Sequence, residues 1–214
     1  MIKTALLIDG GYVRAGAQAA GLAYDNTFIQ TFAASCVQAQ DEYLLRVLYY
    51  DSPQYKGRVA LPVSGRWTNF QANDRWLDDL AKLDRFAVRR GTMGFRGWKL
   101  KQIPYVANRP PTDADFAPNF EQKGVDMRVG LDIAAYSNSH VVDRIVLVSG
   151  DQDMIPAMKH ARKAGLEMVL IELPAPTQPI HDNLRIHTDL IRSVAWPAVV
   201  AQPENNQVLP AAAE

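Results

Sequence analysis

The chain alternates short apolar runs with segments of helical spacing, and this alternation constrains its fold more than any other feature. Residues 4–8 and 144–148 are largely apolar runs, and each is followed closely by glycine and aspartate. Such runs are typical of parallel strands that are buried on both faces. Strands that alternate with helices imply right-handed crossovers and helices on both sides of the sheet. We therefore predict an α/β fold.

The same patterns predict the remaining elements. Strands are expected at residues 4–8, 43–50, 86–90, 144–148 and 167–173. Helices are expected from Asn26 onward, over residues 70–83, 123–137 and 152–164, and over residues 184–194. Proline and glycine predict a loop at 52–66 and an irregular segment at 96–119. Residues 1–196 then form one domain, and the Pro-, Ala-, Asn- and Gln-rich residues 197–214 form a disordered tail.

Composition limits the cellular location and the kinds of metal site more than it limits the function. The chain has 214 residues and a formal net charge of zero, so a partner cannot be inferred from total charge. Its single cysteine, Cys36, excludes an internal disulfide and a cysteine-rich zinc site. The four histidines show no metal-ligand spacing. Neither a signal peptide nor a membrane span is indicated, which predicts a cytoplasmic protein without membrane contact.

Asp9 and Asp151 each follow a predicted buried strand. If those two strands flank the point where strand order reverses, the two residues become neighbours in the ligand crevice of the sheet. Neighbouring carboxylates repel each other and resist desolvation unless a cation or hydrogen bonds offset the cost. Either residue alone could also be a turn or cap residue. Together they predict a cation site.

Further aspartates extend this prediction. Asp153 lies two residues beyond Asp151 and is either a further metal ligand or a favourable charge at a helix N-terminus. Asp126 opens the helix over residues 123–137 beside its buried stripe, and we take it as a ligand. Asp132 lies about 120° around that helix, so we take it as a supporting or structural acid. Hard oxygen ligands of this kind suit Mg²⁺ or Mn²⁺.

Three short blocks carry these acids in a fixed order. They are Leu7-Ile8-Asp9-Gly10-Gly11-Tyr12; Lys123-Gly124-Val125-Asp126, with Asp132 following; and Val148-Ser149-Gly150-Asp151-Gln152-Asp153-Met154. In this order and spacing the chain resembles the NYN domain, of the LabA-like kind. The resemblance implies a three-layer α/β/α PIN-like fold with a mainly parallel sheet of about five strands. It also implies a metal-dependent ribonuclease in which the four aspartates Asp9, Asp126, Asp151 and Asp153 hold one or two divalent ions. Within the blocks we expect Tyr12 to contact substrate and Ser149, with Asp132, to support the ligands.

Residues 85–101 predict where an RNA strand would bind. They hold six cations and no acid, interleaved with aromatic rings. This mixture suits backbone contact and base stacking on single strands, although a charged, solvated strand edge would have the same composition. Arg96, Trp98 and Lys99 are the preferred candidates. Lys123 either contacts a phosphate or is simply solvated.

Three other functions compete with that of a ribonuclease. An RNA-binding or regulatory protein with the same fold and little turnover stays open, because acids indicate binding capacity more than turnover. A haloacid-dehalogenase-like phosphatase would end its first strand in Asp-x-Asp, whereas here Gly11 occupies the position of the second aspartate. A dinucleotide-binding protein would need Gly-x-Gly-x-x-Gly after that strand, which is lacking. The sequence does not fix the oligomeric state.

Overall fold

Strands and helices alternate along most of the chain in a computed structural model that describes residues 1–106 and 108–198. The strands there are β1 (Ile2–Asp9), β2 (Glu42–Asp51), β3 (Gly57–Ala60), β4 (Trp67–Phe70), β5 (Phe86–Arg90), β6 (Thr92–Leu100), β7 (Phe116–Lys123), β8 (Arg144–Val148), β9 (Glu167–Glu172) and β10 (Leu190–Ser193). The helices there are α1 (Gly10–Ala19), α2 (Asn26–Ser35), α3 (Arg75–Ala81), α4 (Val125–Ser139), α5 (Ile155–Lys163) and α6 (Asp182–Arg185). The predicted α/β class is confirmed.

The central sheet has six parallel strands in the order β10-β9-β8-β1-β2-β5. The chain first adds β2 and β5 on one side of β1 and then adds β8, β9 and β10 on the other. The topological switch point therefore lies between β1 and β8, where Ile8 pairs with Val148. In open α/β sheets, ligands bind beside such a point at the carboxyl ends of the strands. We call this side the carboxyl edge and the opposite side the amino edge.

Both faces of the sheet are buried, which explains why its strands are apolar throughout. Successive side chains of a strand point to opposite faces. In β1, Leu6 and Ile8 pack in one core with residues of α1, α2 and α3, whereas Ala5 and Leu7 pack in a second core with residues of α4 and α5. The sheet is thus the middle layer of an α/β/α arrangement.

The helix predicted over residues 184–194 is wrong. Helix α6 ends at Arg185, and β10 adds a sixth strand to the sheet, with Ile191 opposite Leu170 of β9. Four residues are too few for periodicity to separate a strand from a helical turn. Of the predicted tail, residues 199–214 lie outside the described residues.

Two antiparallel hairpins stand where the sequence predicted a loop and an irregular segment. The hairpin β3–β4 pairs Val59 with Thr68, and the hairpin β6–β7 pairs Phe95 with Phe120. The helix predicted over residues 70–83 is correspondingly shorter and begins at Arg75, while α1 was not predicted at all. Among the described residues, no helix combines the length and the apolar character needed to cross a bilayer.

Candidate active site at the carboxyl edge

Asp9 ends β1 and also caps the helix that follows it. Its Oδ1 accepts a hydrogen bond from the backbone N–H of Tyr12 at 3.1 Å, which fixes the carboxylate over the first turn of α1. The turn is tight, because a Cβ on Gly10 would overlap the hydroxyl group of Tyr49. Glycine is therefore required directly after the acid, as the sequence block suggested.

Asp151 is held by a second, similar turn beyond β8. The hydroxyl oxygen of Ser149 accepts a hydrogen bond from the Asp151 backbone N–H at 3.1 Å. Oδ1 of Asp151 in turn accepts one from the Asp153 backbone N–H at 2.9 Å. Ser149 thus orients the backbone of Asp151, and the two aspartates share one turn. Whether Ser149 supports a bound ion stays a prediction.

Tyr12 joins the two turns. β1 and β8 pair in register to their ends, so Asp9 and Ser149 begin adjacent turns. The ring of Tyr12 packs on the second turn, since a Cβ on Gly150 would lie 2.7 Å from it. Burial raises the pKa of Tyr12, and the charges of Asp9 and Glu172 raise it further. The phenol therefore lies in a negative field at the carboxyl edge.

Asp126 completes the group from the N-terminus of α4. Gly124, in the left-handed conformation with φ of 75°, turns β7 directly into this helix. Burial raises the pKa of Asp126, and the charges of Asp151 and Asp153 add to the effect. Burial likewise raises the pKa of Asp9 against its Tyr12 hydrogen bond, and the charge of Asp126 adds to it. Asp126 therefore lies close enough to Asp9 and to the turn of Asp151 and Asp153 for their charges to repel.

The four carboxylates do not enclose one point, however. Among residues 1–106 and 108–198, no three acidic, histidine or cysteine side chains are placed to hold a single ion. In the same residues none of the four aspartates forms an ion pair, so their repulsion is not offset by a protein cation. Mg²⁺ is often bound through only one or two carboxylates and keeps several waters. The donor chemistry and the uncompensated charge therefore fit a hydrated divalent ion.

Asp51 is an acid of the same edge that sequence reasoning missed. It ends β2, its side chain is fully buried, and Arg14 binds it in a bidentate pair at 2.6 and 3.1 Å. The backbone N–H of Ser52 donates to it at 2.7 Å. Its charge also contributes to the raised pKa of Asp9. The available signal was its position, since Asp51 ends a predicted strand just as Asp9 does.

Gln122 is a second residue that was missed. A Cβ on Gly11 would lie 3.3 Å from Oδ1 of Asp9 and 3.7 Å from Oε1 of Gln122. The amide at the end of β7 is therefore close to the first acid of the site. Nothing in the sequence pointed to it, because it lies just beyond a segment that was predicted to be irregular.

Asp132 lies in a network of its own. The hydroxyl group of Tyr50 donates to its Oδ2 at 2.9 Å, and Arg89 binds both carboxylate oxygens at 2.9 and 3.2 Å. These bonds join α4 to β2 and β5. Asp132 does not contribute to the raised pKa of Asp9 or Asp126. Its contacts are those of a structural acid.

Four of the five predicted substrate contacts lie on the β6–β7 hairpin, while the fifth, Tyr12, lies on α1 and its role toward RNA also stays a prediction. Arg96 forms an ion pair with Glu121, and Nζ of Lys123 lies 3.8 Å from the same carboxylate. Lys99 is exposed. Trp98 is half-buried and donates its indole N–H to the Ala60 carbonyl at 2.8 Å. Arg96 and Trp98 therefore have partners within the protein, and the role of all four residues toward RNA stays a prediction.

Comparison with known proteins gives one family and one fold relative. The model of the NYN domain family matches residues 3–185. A solved structure of a protein of unknown function from Vibrio parahaemolyticus is 17% identical, with a TM-score of 0.51, and the match covers 90% of this chain and 92% of that one. At this identity the likeness concerns the fold alone. No curated protein matches the sequence.

Proposed function

The chain belongs to the NYN domain family, and on this basis we propose that it is a divalent-metal-dependent ribonuclease that hydrolyses phosphodiester bonds of single-stranded RNA. The family has a nuclease-like fold, its members are generally ribonucleases, and they typically use divalent metals. The narrower LabA-like assignment stays a prediction. A cytoplasmic location is likewise part of the proposal.

One observation carries the proposal beyond family membership. Asp9 ends β1 and Asp151 follows β8, the two strands that flank the switch point of the sheet, and the charge of Asp126 interacts with that of Asp9 and with those of Asp151 and Asp153. Burial and mutual repulsion raise the pKa of both Asp9 and Asp126. Proteins place uncompensated charge in this way mainly at functional sites. The cost is removed when a cation binds, which supports a metal-dependent activity.

The residues of the site have distinct tasks in this mechanism. Asp9, Asp126, Asp151 and Asp153 would hold Mg²⁺ or Mn²⁺, which lowers the pKa of a bound water and neutralises charge on the phosphate. The Tyr12 N–H and the Ser149 hydroxyl keep two of these carboxylates in fixed turns. Burial and neighbouring carboxylates raise the pKa of Asp9 and Asp126, and a bound cation would offset that repulsion.

Two polar groups around the acids could bind the RNA strand. The amide of Gln122 beside Asp9 can donate a hydrogen bond to a phosphate or ribose oxygen. The exposed ammonium of Lys123, one residue further, can pair with a phosphate. Both residues lie at the end of β7, directly before Asp126 enters α4. In this proposal one neutral and one charged donor therefore precede Asp126 directly, where both could contact a strand held at the acids.

A second candidate function is RNA binding with little or no turnover. It is favoured by the finding that, in the described part of the chain, no three acidic, histidine or cysteine side chains are placed to hold one metal ion. A binding protein needs the positive surface but not the converging acids. The two candidates differ in what a bound RNA undergoes.

Cleavage of a labelled single-stranded RNA with Mg²⁺ or Mn²⁺ tests the proposal. Wild type should cut the RNA and should stop when EDTA removes the metal. Changing a residue that merely supports a metal ligand usually costs 10- to 100-fold, so Asp151→Asn should lower the rate by about 100-fold or more. Asp79→Asn on α3 is the matched control, because Asp79 is exposed and forms an ion pair with the equally exposed Lys82, away from the four aspartates. It should cut like wild type.

Thermal unfolding adds a readout that does not need activity. Mn²⁺ should raise the Tm of wild type and of Asp79→Asn, and should raise that of Asp151→Asn less. If wild type binds RNA tightly but never cuts it with any divalent ion, the ribonuclease proposal is wrong and the binding function takes its place.

A further inference from the structure

Both hairpins extend from the carboxyl edge, where the acids lie. β3 follows the end of β2, and β6 follows the end of β5 after Gly91 alone. β7 returns the chain to α4 directly before Asp126. The two hairpins are thus attached beside the candidate active site. We call residues 53–70 and 92–123 together the hairpin module.

An aromatic cluster holds the two hairpins together. Phe70 of β4 packs against Phe120 of β7 with ring centroids 5.2 Å apart, and Tyr55 packs against Phe120 at 5.4 Å. Phe95 and Trp98 of β6 join them, with their centroids 5.6 Å apart. These rings are separate from the two cores of the sheet. Each hairpin therefore turns one face inward to the cluster and leaves one face outward.

The hairpin module carries much of the positive charge of the chain. It contains eight of the 23 Lys and Arg residues but only three of the 23 Asp and Glu residues. Its acids are already engaged, because Asp115 pairs with Arg109, Glu121 pairs with Arg96, and Asp113 accepts the backbone N–H groups of Val63 and Ser64. Among the described residues Lys56, Arg58, Lys99 and Lys101 form no ion pair. A neutral chain thus presents a basic surface beside its acids.

The outward face of β3–β4 has the chemistry of a stacking surface. Side chains alternate along these strands, so that Val59 is buried and Phe70 half-buried while Arg58 and Trp67 face outward. Trp67 is 61% exposed, which is unusual for so large an apolar ring. The guanidinium of Arg58 lies 5.0 Å from the centre of that ring. An exposed ring beside a cation suits a base and its phosphate.

We propose that Trp67 and Arg58 on the outer face of β3–β4 form a binding surface for single-stranded RNA, which holds a strand that runs on to the carboxyl-edge acids. Trp67 stacks on a base, and Arg58 pairs with the adjacent phosphate. This surface lies outside the residues that the sequence analysis singled out, and it differs from Trp98, whose half-buried ring packs against Phe70 and Phe95 of the aromatic cluster. That the bound strand is then cleaved rests on the proposed function, whereas the binding of the strand does not.

Single strands fit this surface better than duplexes or acidic proteins. Stacking requires an unpaired base whose face is free, which a duplex does not offer. An acidic peptide would satisfy the cations but would leave the Trp67 ring exposed. Aromatic stacking with backbone cations is the usual basis of sequence-tolerant single-strand binding.

Binding of a fluorescein-labelled oligouridylate to the full chain, measured by anisotropy with EDTA present, tests the inference without turnover. Losing one base stack costs about 5- to 150-fold in affinity, so Trp67→Ala should weaken binding by that factor while Trp67→Phe keeps most of it. Arg58→Ala should reduce the steepness of the salt dependence by about 0.7 in the log–log slope, which corresponds to one phosphate contact. Thermal unfolding of each variant checks that it is folded.

The chain offers a matched control at the amino edge. Tyr43 is 44% exposed, and the guanidinium of Arg85 lies 5.2 Å from its ring, much like the Arg58–Trp67 pair. Tyr43→Ala should therefore bind the oligouridylate like wild type. Competition with duplex RNA and with polyglutamate identifies the class of partner.

The outcomes separate this inference from the ribonuclease proposal. If Trp67→Ala weakens binding but wild type never cuts RNA, the binding surface stands and the ribonuclease proposal fails. If wild type cuts RNA while Trp67→Ala and Arg58→Ala bind it unchanged, the binding surface is refuted and the ribonuclease stands. If polyglutamate competes as well as the oligouridylate and Trp67→Ala is neutral, the surface serves an acidic protein partner and the inference is wrong.

Discussion

The two edges of the central sheet treat buried carboxylates in opposite ways. At the amino edge Glu42 of β2 is fully buried and lies between Arg144 of β8 and Arg192 of β10, with the Arg192 Nη2 at 2.5 Å from its Oε1. At the carboxyl edge, among the residues that the structure describes, Asp9 and Asp126 have carboxylate neighbours and no ion pair.

The pKa values of the acids at the two edges are shifted in opposite directions. Burial acts to raise the pKa of Glu42, but hydrogen bonds from Arg192, from the Gln38 backbone N–H and from Arg144 lower it overall. Burial raises the pKa of Asp9 and of Asp126, and neighbouring acids raise both further. At the amino edge the ionised Glu42 therefore stabilises the fold, whereas at the carboxyl edge the ionised Asp9 and Asp126 destabilise it. Such a conflict is expected where a function requires it.

The largest effect is expected from removing the charge at the amino edge. Glu42→Gln leaves Arg144 and Arg192 buried without their shared partner, and breaking a buried pair costs about 3–5 kcal/mol. Urea unfolding should show this loss in the free energy of unfolding. Glu172→Gln on β9 is the control, because Glu172 pairs with the more exposed Arg185 at 3.1 Å. Its cost should be below about 1 kcal/mol. Equal losses in the two variants would contradict the comparison.

The opposite sign is expected at the carboxyl edge. Asp9→Asn removes a repelled, half-buried charge, while asparagine is as good a helix cap as aspartate, so the Tyr12 N–H keeps its acceptor. The free energy of unfolding measured in EDTA should rise by about 1 kcal/mol, as is common for relieved functional strain. The same variant should lose RNA cleavage.

Asp9→Ala is the control for this gain. It removes the charge and the cap together, so it should be about 1 kcal/mol less stable than Asp9→Asn. A loss of stability in Asp9→Asn itself would mean that the carboxylate is stabilised at this edge by contacts other than the cap.

The carboxyl edge was largely predictable from sequence, and the reason is physical. A strand buried on both faces must be apolar throughout, so β1 and β8 are conspicuous, and the sheet fixes where the turn that begins at the end of each strand lies. The adjacent positions of the turns that hold Asp9 and Asp151 could therefore be predicted from the order of residues alone, whereas a shared ion stays a prediction. The partners of Glu42 could not, because Arg144 and Arg192 lie 102 and 150 residues away and no local pattern joins them.

The hairpin module was missed for a different reason. Its strands are half-buried around rings instead of fully buried in a core, so their apolar pattern is weak, and prolines at its turns favoured an irregular segment. The same half-burial leaves Trp67 exposed. β10 was not predicted because it is a strand of four residues, which lies at the edge of the sheet in the part of the chain that the structure describes.

The smallest effect, and the sharpest test of the comparison, is how stability depends on pH. The pKa of Glu42 is lowered, so its contribution is present above its ordinary value of 4.5 and is lost as the pH falls through the lowered value. The pKa of Asp9 is raised, so its penalty is present above the raised value and disappears as the pH falls toward its ordinary value of 3.8.

Relative to wild type in EDTA, Asp9→Asn should gain stability at pH 7, and this gain should shrink as the pH falls. Glu42→Gln should lose stability at pH 7, and this loss should shrink as the pH falls below the ordinary pKa of 4.5. Urea unfolding of the three proteins across this range measures both differences. If both variants differ from wild type in the same direction at pH 7, the two edges do not treat their acids differently.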